Sequence, residues 1–119
     1  MAIKSILNTC EYLGIRTKKD IFSKMNLSLP QINEPDEWAL YITKELGYDT
    51  YINPPGGKSF FDREKYINEN IELQFLSTEI VPYRQKGTEF TPALSIIDVM
   101  MFCDVQTIHK MLDNYKLEE

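Results

Sequence analysis

The residues best suited to hold a ligand lie together between Thr50 and Asp62. Thr50-Tyr51-Ile52 is a short β-type run that leads into Pro54 and Pro55, then Gly56, Gly57, Lys58 and Ser59. The prolines fix φ and donate no backbone hydrogen bond, whereas the glycines permit left-handed geometry or the close approach of another group. A stiff segment followed by a permissive one at a strand end is where α/β proteins place ligand-contacting loops. The amides of Gly56, Gly57 and Lys58, the Lys58 ammonium and the N-terminus of a following helix could together hold a phosphate or carboxylate. The alternative is a plain turn with a solvated lysine. Gly57-Lys58-Ser59 echoes the nucleotide-binding P-loop. That loop needs a glycine five residues before its second glycine, and Ile52 stands there.

Ser95 and Asp98 form the second polar feature, three residues apart on an otherwise apolar helical run. A buried carboxylate must be paired or hydrogen-bonded. Asp98 is therefore expected either to pair with Arg84 or a loop amide, or to line the polar edge of a pocket. His109, the sole histidine, falls on a surface helix beside Lys110, and no nucleophile–histidine–carboxylate set can be assembled around it. Cys10 and Cys103 read as buried reduced thiols in apolar helical runs. No cysteine–histidine spacing suits a metal, and no cofactor motif is present. Tyr51 and Phe61 flank the glycine loop, as half-buried aromatics or as the wall of a sugar or base pocket.

The elements that must position these residues follow from hydrophobic periodicity. Helices are expected over Ala2–Leu13, stopped by Gly14, and over Glu34–Leu46, with Pro35 in the first turn and Asp36 and Glu37 complementing the dipole. A short helix is expected over Asp62–Asn68. Another begins at Thr91-Pro92 and runs to Phe102, apolar nearly all round and hence central. The last runs from an Asp104 cap to Tyr115, leaving Lys116–Glu119 as a tail. Strands are expected over Ile15–Phe22, Asp49–Ile52, Ile71–Phe75 and Ile80–Tyr83. This alternation predicts a single α/β domain over residues 1–119, with a small, mostly parallel sheet of three or four strands packed by about five helices.

Composition limits the partners. The 119 residues carry a net charge of −5, with 43% hydrophobic and 26% charged residues, an ordinary globular balance. The acidic field and the absence of a basic stripe with interleaved aromatics argue against nucleic acid. Arg16, Lys18 and Lys19 read as a solvated basic loop. No long apolar span or signal-peptide pattern indicates a membrane or export, so the cytoplasm is the expected compartment.

Several stretches resemble the second half of WbqC-like proteins. They are Leu13-Gly14-Ile15-Arg16-Thr17, Lys44-Glu45-Leu46-Gly47-Tyr48-Asp49-Thr50-Tyr51, Pro55-Gly56-Gly57-Lys58 with Asp62, Ile71-Glu72-Leu73-Gln74-Phe75, and Phe90-Thr91-Pro92-Ala93-Leu94-Ser95-Ile96-Ile97-Asp98. The last is the most specific, and together they cover nearly the whole chain. The family's N-terminal turn and its Asp-Asp-Val-Gln-type segment have no counterpart here, and Asn53-Pro54-Pro55 stands where a Ser-Gly-type pair often precedes the glycines. The resemblance implies a role in bacterial surface-polysaccharide biosynthesis, O-antigen included, with acyl or aminoacyl transfer to an amino sugar. It implies a nucleotide sugar or other anionic small molecule as ligand. Gly56, Gly57, Lys58 and Asp62 would contact that ligand, and Ser95 and Asp98 would line or brace the site. This chain would be the ligand-binding half, inactive alone, and its partner a missing N-terminal half or a second copy. The alternative is a non-catalytic interaction module that docks on a partner domain.

Overall fold

The computed structural model describes residues 2–119. Five α-helices and a three-stranded mixed sheet make up its regular structure among these residues, a small α/β fold. The chain forms two compact units, one from Asp20–Ser77 with Lys116–Glu119, the other from the segment up to Lys19 with Thr78–Tyr115.

The first unit holds the sheet. Helix α2 (Glu37–Glu45) leads to strand β1 (Thr50–Asn53). A 3-10 turn (Pro55–Gly57) and helix α3 (Arg63–Asn68) follow, and the chain returns as β2 (Glu72–Thr78). β1 and β2 are parallel, with Thr50 opposite Glu72 and Asn53 opposite Phe75. A parallel pair needs a crossover, and α3 supplies it. β3 (Tyr115–Glu118) lies on the other side of β2. β2 is thus central, and its alternation puts Leu73 and Phe75 in the core with Ile71 just before them. Leu40 of α2 and Tyr66 of α3 complete that core, with Tyr41, Tyr51 and Phe61 against its rim. Each such fully buried apolar side chain contributes about 1.5–3 kcal/mol.

Helix ends here are set by specific residues. The Glu37 carboxylate reaches back to the amides of Asn33 at 2.8 Å and Glu34 at 3.2 Å, which starts α2 later than Glu34. Asp62 caps α3 by accepting from the Glu64 amide at 3.0 Å. Asn70, at φ 56°, ends α3 in the left-handed region that asparagine tolerates, and the Ile71 amide returns to the Tyr66 carbonyl.

The second unit contains α1 (Ala2–Tyr12), α4 (Ile96–Phe102) and α5 (Val105–Leu112). Gly14, at φ 67°, closes the end of α1. Among the described residues of this unit the buried side chains are Leu13 and Ile108, and His109 Nε2 lies 2.6 Å from the Leu13 carbonyl oxygen. The histidine therefore ties α5 to the end of α1 and is not merely solvated.

Five sequence expectations are corrected. Ile15–Phe22 is not a strand, because the Lys19 ammonium takes the Ile15 and Thr17 carbonyls at 2.9 and 2.6 Å. Ile80–Tyr83 is not a strand either, since Pro82 withholds a ladder donor and both Ile80 and Val81 are exposed. The helix expected from Thr91-Pro92 starts at Ile96, because Ala93 has φ 59°, outside right-handed helical space. That helix is not central: none of its residues is buried, and Ile97 and Met101 are 62% and 74% exposed. Lys116–Glu119, expected as a tail, instead supplies most of β3.

Candidate functional site

The glycine loop follows β1 directly, as its spacing predicts. Pro54 is extended, at φ −60° and ψ 151°, and Pro55 opens the 3-10 turn at its first position. The Gly57 amide donates to the Pro54 carbonyl at 3.2 Å, and the Lys58 amide to the Pro55 carbonyl at 3.1 Å. Those two donors close the turn onto carbonyls, so of the three amides expected to hold an anion, those of Gly57 and Lys58 are already engaged. The Lys58 ammonium is half-exposed, 2.9 Å from the Glu118 carboxylate of β3 and 5.7 Å above the Phe75 ring. Lys58 in turn holds the Glu118 carboxyl below the ordinary glutamate range.

Gly57 is fixed by sterics. A methyl group there would overlap the Asn53 amide and approach the Phe61 ring at 2.9 Å. Asn53 is itself held, its Oδ1 accepting from the Tyr51 hydroxyl at 3.0 Å and its Nδ2 donating to the Pro54 carbonyl at 3.1 Å. Phe61 packs on Tyr51, Tyr66 and Phe75 with ring centroids 5.8, 6.0 and 6.2 Å away. Tyr51 and Phe61 therefore flank the core. Gly56 has open space around it.

A charged cluster beside this loop escaped the sequence reading. Asp36 is only 4% exposed, and its carboxylate accepts from the Asp62 amide at 3.2 Å and from the Lys65 ammonium at 3.0 Å. Glu37 lies 3.3 Å from the same ammonium. Hydrogen bonding to Asp36 raises the Lys65 pKa, and the Asn33 and Glu34 amides lower that of Glu37. The Tyr66 hydroxyl donates to the Asp36 carbonyl at 3.0 Å, while Arg63 donates to the Leu73 carbonyl at 3.2 Å. These bonds lock α2, α3 and β2 together and fix where Asp62 and the glycine loop stand. The spacing of Asp36 and Lys65, 29 residues apart, carries no local signal that could have revealed the pair.

Ser95 and Asp98 belong to the other unit. Ser95 is the N-cap of α4, accepting from the Ile97 amide at 3.2 Å. Asp98 pairs with neither Arg84 nor a loop amide. Its Oδ2 accepts from the Tyr83 hydroxyl at 2.6 Å and from Gln85 Nε2 at 3.0 Å. The bond to Asp98 raises the Tyr83 pKa. Gln85 also accepts from the Thr91 amide at 2.8 Å and donates to the Thr91 carbonyl at 3.1 Å. Asp98 therefore holds the long connection before α4 in shape, as a bracing residue would. The structure joins Gly56, Gly57, Lys58 and Asp62 in one unit and Ser95 with Asp98 in the other.

Both cysteines are free and partly buried. Burial, then the nearby Asp104 and Asp98 charges, raise the Cys103 pKa, so its thiol stays protonated at neutral pH and is a poor nucleophile. Among the described residues no group of histidine, cysteine, aspartate and glutamate is arranged to hold a metal ion, and no helix is long and apolar enough to cross a membrane.

No curated protein and no solved structure matches this chain. The model of the WbqC-like protein family matches residues 1–110. With all but the last nine residues inside that match, the chain belongs to the WbqC-like protein family.

Proposed function

We propose that this chain acts in bacterial surface-polysaccharide biosynthesis, O-antigen included, as a ligand-binding part of a transferase that places an acyl or aminoacyl group on an amino sugar. The family match over residues 1–110 is the observation that carries this reading. Its ligand is an anionic small molecule, a nucleotide sugar foremost. The Lys58 ammonium receives the anionic group and gives up Glu118, an exchange that costs little between two exposed side chains. Gly56 and Gly57 leave room for the ligand to approach, and Asp62 sets the start of α3 beside them. Ser95 and Asp98 brace the connection that precedes α4. Two reduced thiols and a ligand of this kind suit the cytoplasm.

A thermal-shift screen with nucleotide sugars, nucleotides and acyl-CoAs tests the proposal. A ligand that binds only the folded chain raises its stability. A nucleotide sugar should stabilise the wild type and fail to stabilise Lys58→Ala. Equal stabilisation of both proteins, or none of either, counts against it.

A second reading, an interaction module that docks on a partner domain, is favoured by one observation. Helix α1 has no buried residue and leaves Ile3, Ile6 and Leu7 exposed, and α4 exposes Ile97 and Met101. Apolar surface of this kind marks docking sites. Sedimentation of the isolated chain as a monomer up to high concentration would weigh against self-association as that docking.

A further inference from the structure

Within the unit that contains α4 and α5, a groove of about 700 Å³ runs between the segment Val81–Arg84 and the faces of the two helices. That volume suits a small molecule. Val81, Phe102 and Met111 give its lining an apolar part, and four charged side chains, Arg84, Asp104, Lys110 and Asp113, share that lining. Two of them compensate each other: Lys110 and the Asp104 carboxylate interact electrostatically, and Asp104 also accepts from the Thr107 amide at 2.7 Å. The other two are Arg84 and Asp113. Neither side chain forms an ion pair or a hydrogen bond among the described residues, and they do not pair with each other. Asp113 is also the C-cap of α5, where the negative end of the helix dipole adds to its charge. The groove thus offers one uncompensated cation, one uncompensated anion and an apolar part of its lining.

We propose that this groove binds a small zwitterion with an apolar body, its carboxylate on Arg84 and its ammonium on Asp113. An arginine fork matches a carboxylate in two parallel hydrogen bonds. The groove is separate from the glycine loop, which lies in the other unit, and the proposal does not depend on the reading of that loop.

Calorimetric titration of the full chain with phenylalanine tests it, with phenethylamine and 3-phenylpropionate as controls that each lack one charge. Phenylalanine should bind about tenfold or more tightly than either control, the value of one charge-assisted hydrogen bond. Arg84→Gln should reduce phenylalanine to the affinity of phenethylamine and leave phenethylamine unchanged. Asp113→Asn should do the same toward 3-phenylpropionate. Neither substitution removes an internal bond, and Asp113→Asn relieves repulsion from the α5 dipole, so neither protein should unfold at a lower denaturant midpoint than the wild type. The proposal is overturned if no probe binds at millimolar concentration, if the controls bind as well as phenylalanine, or if both variants keep wild-type affinity.

Discussion

Replacing Gly57 with alanine isolates what the second glycine of the loop does. The added methyl would approach the Phe61 ring at 2.9 and 3.2 Å and overlap the Asn53 amide. Neither neighbour moves freely. Phe61 sits against Tyr51, Tyr66 and Phe75, and Asn53 is bonded to both Tyr51 and Pro54. Forcing extra volume into such a site costs about 1–3 kcal/mol. Gly56→Ala is the internal control: the same change one residue earlier meets nothing within 4 Å, and Gly56 lacks a positive φ. Loss of glycine's freedom in the unfolded chain should make that variant neutral or stabilise it by about 0.4–1 kcal/mol. Urea unfolding of the three proteins measures both effects. A Gly57→Ala protein as stable as Gly56→Ala would refute the steric argument and return the loop to an ordinary turn.

Other consequences are as specific. Tyr66 is fully buried, and desolvation, with the nearby Tyr51 and Asp36 charges, raises its pKa well above the ordinary value of 10.0. The neutral phenol therefore stabilises the fold below pH 10.0, and this contribution is lost as pH rises above it. Tyr66→Phe should flatten that alkaline decline in a stability–pH series and cost about 1 kcal/mol at neutral pH through the lost bond to the Asp36 carbonyl. Ser95→Ala removes the α4 cap and should cost about 0.5–2 kcal/mol in chemical unfolding; an unchanged midpoint would show that the cap contributes nothing. Glu118→Gln releases Lys58 and should tighten binding of a nucleotide sugar about two- to fivefold at pH 7 in calorimetry. Glu118 has a lowered folded pKa, so the pair's contribution is present above the ordinary glutamate value of 4.5 and lost as pH falls through the lower folded value. The wild type should then approach the variant's affinity in acid.

Local chemistry was legible in the sequence wherever near neighbours decide the structure. The strand into the proline–glycine loop, the Asp62 start of α3, the Gly14 stop and the alternation of Ile71, Leu73 and Phe75 all depend on residues a few positions apart. What stayed hidden depends on distant partners. Glu118 reaches Lys58 across 60 residues, and Lys65 reaches Asp36 across 29. Strand β3 is exposed at all four positions, so it shows no burial pattern and exists only through its neighbour β2. The apolar run of α4 predicts a central helix because periodicity reports which side chains avoid water. It does not report whether anything in the same chain covers them, and Ile97 and Met101 remain exposed. Asp98 was recognised as a residue that needs a partner, but its choice of Tyr83 and Gln85 over Arg84 follows from the path of the loop.

The most direct test of the proposed ligand site is an amide chemical-shift titration of the isotopically labelled chain with a nucleotide sugar. The account expects saturable shifts at Gly56, Gly57, Lys58 and Asp62, abolished in Lys58→Ala. Shifts confined to other residues, or a spectrum that does not change at millimolar ligand, would contradict it.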